Sequence, residues 1–313
     1  MTQSIAFVFP GQGSQTLGMG KELAETYSTA QRIFEEADEL LGIALSKISW
    51  QGSETELNDT INTQPALLAH SVAVLTVLQE RLPDLKPTFV AGHSMGELSA
   101  LVAAGALSFP YALQLVRRRG ELMKQAGEKN PGSMAAILGL DILTLERVCA
   151  EASTPDEVVQ VANDNCPGQV VISGSSQAMD RAITLSQQAG ARRAKALAVS
   201  IAAHSPLMRH AQENFNQAVA DAPIIGPIVP LVGNVTARPL TAADQIREDL
   251  QAQLTSRVRW TESIQFMIAQ GVTLFLELGG GSVLTGLLKR INDQTSGLAI
   301  GNPSDLEKLF IAL

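Results

Sequence analysis

The chain has 313 residues, of which 45% are hydrophobic, enough for one large domain or a large domain with a smaller insert. Its net charge of −8 argues against nucleic acid or an anionic membrane as the main partner. Cys149 and Cys166 form no disulfide framework, and no Cys/His cluster has metal spacing, so we predict a cytoplasmic protein with no bound metal.

Short apolar runs alternate with amphipathic helical patterns along most of the sequence, which predicts a parallel α/β core. A strand at Ile5–Pro10 comes first and is followed by a glycine-rich loop. Helices are predicted near Lys21–Leu41 and Ala66–Leu82, the second with Pro65 in its first turn. A strand at Thr88–Ala91 then leads into a tight turn and a further helix.

The pattern changes between residues 131 and 198. The predicted elements there are, in order, strand Met134–Leu138, helix Ile142–Ala152, strand Val158–Ala162, strand Val170–Gly174, helix Gln177–Ala189 and strand Arg193–Leu197. This βαββαβ order is typical of a ferredoxin-like subdomain. We therefore predict an α/β core over residues 1–130 and 199–313 and a ferredoxin-like subdomain over residues 131–198, with Gly132 and Ala198–Ile201 as hinges.

The α/β pattern resumes after this insert. The elements predicted there are strands near Val229–Val232 and Leu274–Leu278 and helices near Asp244–Gln253, Thr261–Gln270 and Val283–Ile291.

The segment Gly92-His93-Ser94-Met95-Gly96 has the pattern G-x-S-x-G between the strand and the helix. In that context the serine stands on an exposed elbow, and the helix that follows directs its free N–H groups and positive dipole end at whatever the serine attacks. The arrangement suits acyl transfer, in which an oxyanion forms beside Ser94. A glycine-rich strand-to-helix turn without catalytic function has the same pattern.

A serine nucleophile needs a base, and the chain has four histidines. His93 is adjacent to the serine and points away from it, His70 falls inside an apolar helix, and His210 lies in a polar segment. His204 follows a small apolar segment and precedes Ser205-Pro206, where a loop can enter a cleft. Elimination therefore favours His204 as the base.

Arg119 shares the apolar face of the helix Tyr111–Ala126, because it lies three residues after Val116 and four after Leu115. A buried guanidinium must find an anion. That anion is either a carboxylate of the protein or a carboxylate on a substrate, which arginine would bind in bidentate fashion.

The loop after the first strand, Pro10-Gly11-Gln12-Gly13-Ser14-Gln15, lacks the residues of a phosphate-binding motif. It lies at the carboxyl end of a strand, beside the elbow. Gln12 could supply a second oxyanion N–H, or the loop could be an ordinary tight turn.

Together these residues resemble the malonyl-CoA:acyl carrier protein transacylases over essentially the whole chain. The motifs that carry the resemblance are Phe9-Pro10-Gly11-Gln12-Gly13-Ser14-Gln15, Thr63-Gln64-Pro65-Ala66-Leu67, Gly92-His93-Ser94-Met95-Gly96-Glu97, Arg119-Gly120, Asn165-Cys166-Pro167-Gly168-Gln169, Val199-Ser200 with His204, and Val283-Leu284-Thr285-Gly286-Leu287. Each motif is weak, but the set at these spacings is specific. The resemblance implies an α/β hydrolase-like core with a parallel sheet and an inserted ferredoxin-like subdomain.

The resemblance also implies a ping-pong reaction between malonyl-CoA and the phosphopantetheine thiol of holo acyl carrier protein. Ser94 would be the nucleophile, His204 its base, and Arg119 the group that binds the malonyl carboxylate. Gln12 and Met95 match the oxyanion-hole N–H positions. Gln253 matches the residue whose main-chain carbonyl orients the histidine. No bound cofactor, nucleic acid or membrane is expected, and the protein would act as a monomer.

Carrier proteins of this system are acidic, so docking would need a local basic patch. The candidates are Arg192, Arg193 and Lys195 on the insert and Lys289 and Arg290 near the C-terminus.

Two alternatives keep the serine. One is a free-standing acyltransferase of polyketide synthesis, with nearly identical chemistry. The other is an esterase or thioesterase, for which Asp164 is the best-placed acidic triad member. A small residue, Ala203, precedes the histidine and could widen the pocket for branched acyl groups.

Overall fold

A computed structural model describes residues 4–197 and 199–312. The N-terminal elements are β1 (Ile5–Phe9), α1 (Lys21–Thr26), α2 (Ser28–Leu41), α3 (Leu45–Gln51), α4 (Glu54–Asn58), α5 (Thr60–Arg81), β2 (Phe89–Gly92), α6 (Gly96–Ala103) and α7 (Phe109–Lys129). The middle elements are β3 (Gly132–Leu138), α8 (Ile142–Ala152), β4 (Val159–Cys166), β5 (Gln169–Ser175), α9 (Ser176–Gln188) and β6 (Arg193–Ala196). After a 3₁₀ turn at Pro206–Met208, the chain forms α10 (Arg209–Asp221), β7 (Leu231–Val232), β8 (Pro239–Leu240), α11 (Ala243–Gln253), α12 (Trp260–Ala269), β9 (Leu274–Leu278), α13 (Val283–Ile291), β10 (Ser296–Ile300) and α14 (Pro303–Ala312).

The larger sheet has six strands in the order β10-β9-β1-β2-β7-β8, and every pairing is parallel except that of β7 with β8. Its central strand β1 is buried along its whole length. Phe7 and Phe9 pack into the core on one face of the sheet, while Ala6 and Val8 pack into the core on the other. Helices cover both faces, which explains why this strand is a continuous apolar run in the sequence.

The smaller sheet is antiparallel, with strand order β4-β5-β3-β6 and its own apolar core against α8 and α9. This is the predicted βαββαβ unit, and the α/β fold class is confirmed. The unit runs from Gly132 to Ala196, inside the range predicted for the subdomain. The boundaries at 130/131 and 198/199 stay a prediction, and Ala198 of the expected hinge lies outside the described residues.

The two sheets meet through β4. Val258, in the segment after α11, accepts a hydrogen bond from the N–H of Asp164 (2.9 Å) and donates one to the carbonyl of Ala162 (2.8 Å). One strand of the small sheet is therefore attached to the loop that leaves α11 of the larger unit.

Two predicted helices differ most from those in the structure. The predicted helix Lys21–Leu41 is two helices, because Tyr27 between them has an extended backbone (φ −123°, ψ 117°). The predicted helix near Ala66 begins earlier, at Thr60, since the Asp59 side chain caps it by accepting from the N–H of Ile61 (3.2 Å).

The prediction that Pro65 lies in the first turn of this helix is therefore wrong. Pro65 lies inside α5. Proline has no N–H to donate to the carbonyl four residues earlier, which is that of Ile61. Arg117 of α7 donates to this carbonyl from Nη1 (3.2 Å), so the proline is tolerated through a contact from another helix.

Of the described helices, α5 is the one whose length and composition would allow a membrane span, with a mean hydropathy of 1.3. Within the fold, however, 83% of the most apolar 18-residue stretch of α5 is buried. Its apolar residues are those of a core helix, packed mainly against α2 and α7.

Candidate active site

The carboxyl ends of β1 and β2 lie side by side, with Phe9 paired to Gly92. Ser94 stands on the turn that follows and has a left-handed backbone (φ 53°). A Cβ on Gly92 would lie 2.0 Å from the backbone of Gly96, and a Cβ on Gly96 would lie 2.3 Å from the carbonyl oxygen of Phe9. The two glycines therefore allow the close approach that the elbow needs.

The side chain of Asn234 holds the elbow from the side of β7. Its Oδ1 accepts from the N–H of Ser94 (2.8 Å), and its Nδ2 donates to the carbonyl of Gly92 (2.7 Å). Asn234 is nearly fully buried, so both bonds are shielded from water. The serine is fixed by its backbone, which leaves its hydroxyl free to point into the cavity.

His204 contacts the serine hydroxyl directly. Its Nε2 lies 2.8 Å from Ser94 Oγ, and its Nδ1 lies 2.9 Å and 3.1 Å from the carbonyl oxygens of Gln253 and Ser256. Because a carbonyl can only accept, Nδ1 carries the proton and Nε2 presents its lone pair to the hydroxyl. Burial, together with the charge of Arg119, lowers the pKa of His204 to about 3. The imidazole is therefore neutral at neutral pH.

The backbone of His204 is also left-handed (φ 57°). The side chain of Gln160, on β4, donates from Nε2 to the carbonyl oxygen of His204 (2.8 Å) and to that of Thr255 (3.0 Å). The small sheet thus fixes the strained histidine turn. The sequence analysis did not identify Gln160.

The other histidines have separate partners. His93 bonds through Nε2 to Asn165 Oδ1 of β4 (2.8 Å), and so joins the elbow to the small sheet. His70 is buried in α5, with Nε2 2.8 Å from the carbonyl of Gly301. His210 is exposed.

Arg119 lies on the inward face of α7 and is only 2% exposed. Its Nη1 donates to Gln64 Oε1 (2.8 Å), and its Nη2 donates to Gln253 Oε1 (2.8 Å) and to Ser94 Oγ (3.1 Å). Burial lowers the pKa of Arg119 to about 10, so the guanidinium stays charged at neutral pH. Among the described residues no carboxylate forms an ion pair with Arg119, and its Nε has no hydrogen-bond partner. Of the two anions that the sequence analysis allowed, a carboxylate of the protein itself is therefore not observed.

Gln12 and Met95 line the same cavity. In the part of the chain that the structure describes, the backbone N–H of neither residue donates a hydrogen bond within the protein. Met95 is the N-cap residue of α6, whose positive dipole end lies there. The Gln12 side chain accepts from the hydroxyl of Thr60 (3.0 Å), which holds the loop against α5. Two free donors next to the serine are suited to stabilise an oxyanion.

Asp164 is not part of this arrangement. Its Oδ1 accepts from the hydroxyl of Thr261 (2.8 Å), and the position it would need, next to Nδ1 of His204, is taken by two carbonyl oxygens. Burial raises the pKa of the Asp164 carboxyl. The expectation that it could complete a hydrolase triad is wrong, because its strand directs it toward α12.

One cavity of about 1090 Å³ lies between the two sheets, with Asn163 and Gln169 of the small sheet on one side. Its lining includes Ser94, His204, Arg119, Gln12 and Met95. No group of three or more His, Cys, Asp or Glu side chains that could hold a metal ion occurs within residues 4–197 and 199–312. The chemistry that the described side chains can provide is nucleophilic, by a serine beside a neutral imidazole and a fixed positive charge.

The sequence analysis missed the side-chain role of Gln253 and the residue behind it, Glu97. The Gln253 amide lies between Arg119 and the elbow, where Nε2 donates to the carbonyl of Ser94 (3.1 Å) and to Glu97 Oε2. Glu97 directly follows the G-x-S-x-G segment on an otherwise apolar helix face and is fully buried. A charged residue on a buried helix was the available signal.

A family profile described as "Acyl transferase domain" matches residues 6–300. The fold and this match thus define an acyl transferase. The malonyl CoA-acyl carrier protein transacylase of Bacillus subtilis (strain 168) is 47% identical over 303 residues, which cover 97% of this chain and 95% of that protein.

Two solved structures are similar over nearly the whole chain. A malonyl-transacylase in complex with a type II PKS acyl-carrier protein has 42% identity and a TM-score of 0.96, covering 99% of this chain and 100% of that one. An acyl carrier protein S-malonyltransferase from Vibrio cholerae O1 biovar eltor has 44% identity and a TM-score of 0.94, covering 98% and 100%. The chain belongs to the malonyl CoA-acyl carrier protein transacylase family, and the resemblance seen in its sequence is confirmed.

Proposed function

We propose that the protein transfers a malonyl group from malonyl-CoA to the phosphopantetheine thiol of an acyl carrier protein and thereby supplies fatty acid synthesis. The observation that carries this proposal is that Nε2 of His204 and Nη2 of Arg119 both lie within hydrogen-bond distance of the Ser94 hydroxyl oxygen. The nucleophile needs a base, and the acyl group needs a cation that recognises its free carboxylate.

In the first half-reaction, Nε2 of His204 takes the proton of the Ser94 hydroxyl while Oγ attacks the thioester carbonyl carbon. The N–H groups of Gln12 and Met95 stabilise the oxyanion. The C–S bond then breaks, and the CoA sulfur leaves with the proton from His204. A malonyl ester remains on Ser94, with its carboxylate bound to Arg119.

In the second half-reaction, His204 takes the proton of the phosphopantetheine thiol, and the sulfur attacks the ester carbonyl carbon. The C–O bond to Ser94 breaks and Oγ recovers the proton. The carbonyl of Gln253 fixes the histidine tautomer in both directions and replaces the carboxylate of a conventional triad. No bound cofactor takes part, because every proton and electron pair stays among these side chains and the two thiols.

Intact-protein mass spectrometry tests the proposal. Wild type, Ser94→Ala and Ser99→Ala are mixed briefly with competing malonyl-, methylmalonyl- and acetyl-CoA, and then with holo acyl carrier protein. Ser99 is the matched control, since its hydroxyl is buried in α6, the helix that follows Ser94, and has no hydrogen-bond partner among the described residues. We expect a malonyl adduct in wild type and Ser99→Ala but not in Ser94→Ala, and its transfer to the carrier. The methylmalonyl adduct shows whether Ala203 admits a branched acyl group. An adduct lost equally fast without carrier would instead identify a hydrolase.

The carrier's pathway is a separate question, because one similar structure is titled as a complex with a type II PKS acyl-carrier protein. A free-standing polyketide acyltransferase is therefore the second candidate. Comparing kcat/KM for a fatty acid carrier and a type II polyketide carrier distinguishes the two functions.

For the carrier we propose a docking surface formed by two basic clusters. One cluster consists of Arg192, Arg193 and Lys195, and the other consists of Lys289 and Arg290. All five side chains are exposed, and the two clusters approach each other near Gly139 and Gly168. A Cβ on Gly139 would lie 2.9 Å from Arg192, and a Cβ on Gly168 would lie 3.9 Å from Gly139 and 4.0 Å from Arg290. Raising the salt concentration should increase KM for the carrier and barely change KM for malonyl-CoA. Equal effects on both would contradict this docking mode.

We place the reaction in the cytoplasm, with the protein acting as a monomer. Cys149 and Cys166 are free, buried thiols, which fits a reducing compartment. Sedimentation of the purified protein across a concentration series tests the monomer.

A further inference from the structure

Arg119 is held in the cavity by uncharged groups. Its Nη1 donates to Gln64 Oε1 (2.8 Å) and to Met123 Sδ (3.3 Å), while its Nη2 donates to Gln253 Oε1 (2.8 Å) and to Ser94 Oγ (3.1 Å). A buried arginine is normally paired with a carboxylate, because an unpaired buried charge is costly. Here two amides fix the guanidinium, and no carboxylate of the described residues forms an ion pair with it.

The orientation of the Gln253 amide is what makes it an acceptor for Arg119. An amide presents its oxygen and nitrogen on opposite sides, so whatever holds the nitrogen decides where the oxygen points. The nitrogen donates to two acceptors, the carbonyl of Ser94 (3.1 Å) and Oε2 of Glu97. Glu97 and Gln253 are 0% and 1% exposed, so water does not compete for these bonds.

We infer that Glu97 is a positioning residue for substrate selection: it turns the oxygen of Gln253 toward Arg119, so that neutral amides hold the arginine and its charge stays available for the carboxylate of the acyl group. The inference rests on the proposed function, since it assumes that Arg119 binds this carboxylate. Glu97 itself contacts neither the cavity nor the reacting atoms, and it acts through Gln253.

Glu97 forms no ion pair with Arg119, because the amide of Gln253 lies between them. Its second oxygen accepts from the N–H of Asn234 (3.2 Å), and Asp249 lies beside it. Burial and the neighbouring Asp249 raise the pKa of Glu97 well above its ordinary value. Burial raises the pKa of Asp249 as well, and the hydrogen bonds that it accepts from the N–H groups of Val235 and Thr236 (3.2 Å each) oppose that rise only in part.

The first experiment compares Glu97→Gln with Glu97→Leu, measuring kcat/KM for malonyl-CoA and for acetyl-CoA in transfer to holo carrier protein. Glutamine keeps one acceptor for Gln253 but loses the acceptor for the N–H of Asn234, so Glu97→Gln should keep the malonyl:acetyl ratio much closer to that of the wild type than Glu97→Leu does. Leucine provides no acceptor for Gln253, so the ratio should fall by about tenfold. If Glu97→Gln falls as far as Glu97→Leu, the charge of Glu97 matters and the proposal is wrong. An equal loss for both substrates in Glu97→Leu also overturns it, because the residue would then only support the elbow.

The second experiment does not depend on changing the elbow helix. Gln253→Glu and Gln253→Met both lose the amide donors and both keep the main-chain carbonyl that His204 uses. Only glutamate places an anion on Arg119, so the malonyl:acetyl ratio should fall further in Gln253→Glu than in Gln253→Met. Equal ratios in the two variants would overturn the neutral support of Arg119. A wild-type enzyme that forms no malonyl-carrier would instead refute the proposed function.

Discussion

Nη2 of Arg119 lies 3.1 Å from Oγ of Ser94, the same oxygen that faces Nε2 of His204 at 2.8 Å. The serine hydroxyl accepts from a cation and donates to a neutral imidazole. A hydrogen bond from a positive group favours the ionised form of an oxygen acid. The same hydroxyl oxygen is therefore in contact with both the proposed carboxylate-binding group and the proposed base.

Replacing Arg119 should separate malonyl from acetyl transfer. For Arg119→Ala we expect kcat/KM for malonyl-CoA to fall by roughly 10- to 100-fold or more, because each charged hydrogen bond contributes about 1.5–3 kcal/mol. Acetyl transfer should be retained. Arg118→Ala is the control, since this side chain lies on the exposed face of the same helix and is 46% exposed. Unchanged malonyl kinetics in Arg119→Ala would refute the carboxylate-binding role.

The pH dependence of acylation should reflect the low pKa of His204. The base is active when neutral, so kcat/KM for acetyl-CoA should not decline as pH falls through 6.5, the ordinary value for histidine, toward about 3. The charge of Arg119 contributes to this lowering, so Arg119→Gln should raise the pKa of His204 and move the acid limb to higher pH. The measurement is the pH profile of acyl-enzyme formation in both proteins. An acid limb at 6.5 in wild type would contradict the neutral imidazole.

Gly96→Ala should destabilise the elbow. The added Cβ would lie 2.3 Å from the carbonyl oxygen of Phe9 and 2.8 Å from that of Pro10, and both are backbone atoms that cannot move cheaply. We expect a loss of about 1–3 kcal/mol in the free energy of unfolding and no acyl-enzyme. Gly286→Ala, in α13, meets nothing within 4 Å and should gain about 0.5–1 kcal/mol. Urea unfolding of the two variants checks the contrast, which fails if both behave alike.

Asp164→Asn should leave acyl transfer unchanged. The carboxyl group contacts Thr261 and not His204, and asparagine keeps an acceptor for that hydroxyl. Steady-state kinetics with malonyl-CoA and carrier protein provide the measurement. If Asp164→Asn could not form or release the acyl group, Asp164 would have to be a triad member after all, against the geometry.

Gln160→Leu should slow acylation without weakening substrate binding. The amide holds the carbonyl of His204, whose backbone is left-handed, and a shift of the imidazole by about 1 Å can cost about 100-fold in rate. We expect kcat to fall by about tenfold or more while KM for malonyl-CoA stays the same. Gln177→Leu, an exposed residue of α9, is the control. A change in KM alone would show that Gln160 serves the cavity wall and not the histidine.

Local sequence patterns predicted most of the fold. Periodicity placed α8, β9 and α13 at their observed boundaries, and the βαββαβ order of the small sheet was visible in the alternation of short apolar runs. The start of α5 was missed, because what makes Pro65 tolerable is Arg117 on another helix. A contact between residues so far apart in sequence leaves no periodic pattern.

The candidate site could be predicted only in part for the same reason. Ser94, Arg119 and His204 belong to recognisable local motifs, and the structure brings them together. Glu97 and Gln253 meet across 156 positions of sequence, and what joins them is a hydrogen bond between two buried polar side chains. Such a pair shows in the sequence only as two residues that are too polar for their surroundings.

The strand β4 limits how this protein can be re-engineered. Its Gln160 holds the turn of His204 and its Asn165 holds the turn of Ser94 through His93, so a single strand sets the spacing between the two turns. A chimaera that exchanges the small sheet with that of a relative would need both side chains at the same distance along the strand. Swapping this unit to change carrier recognition would otherwise misalign the turns, whatever surface the new unit provides.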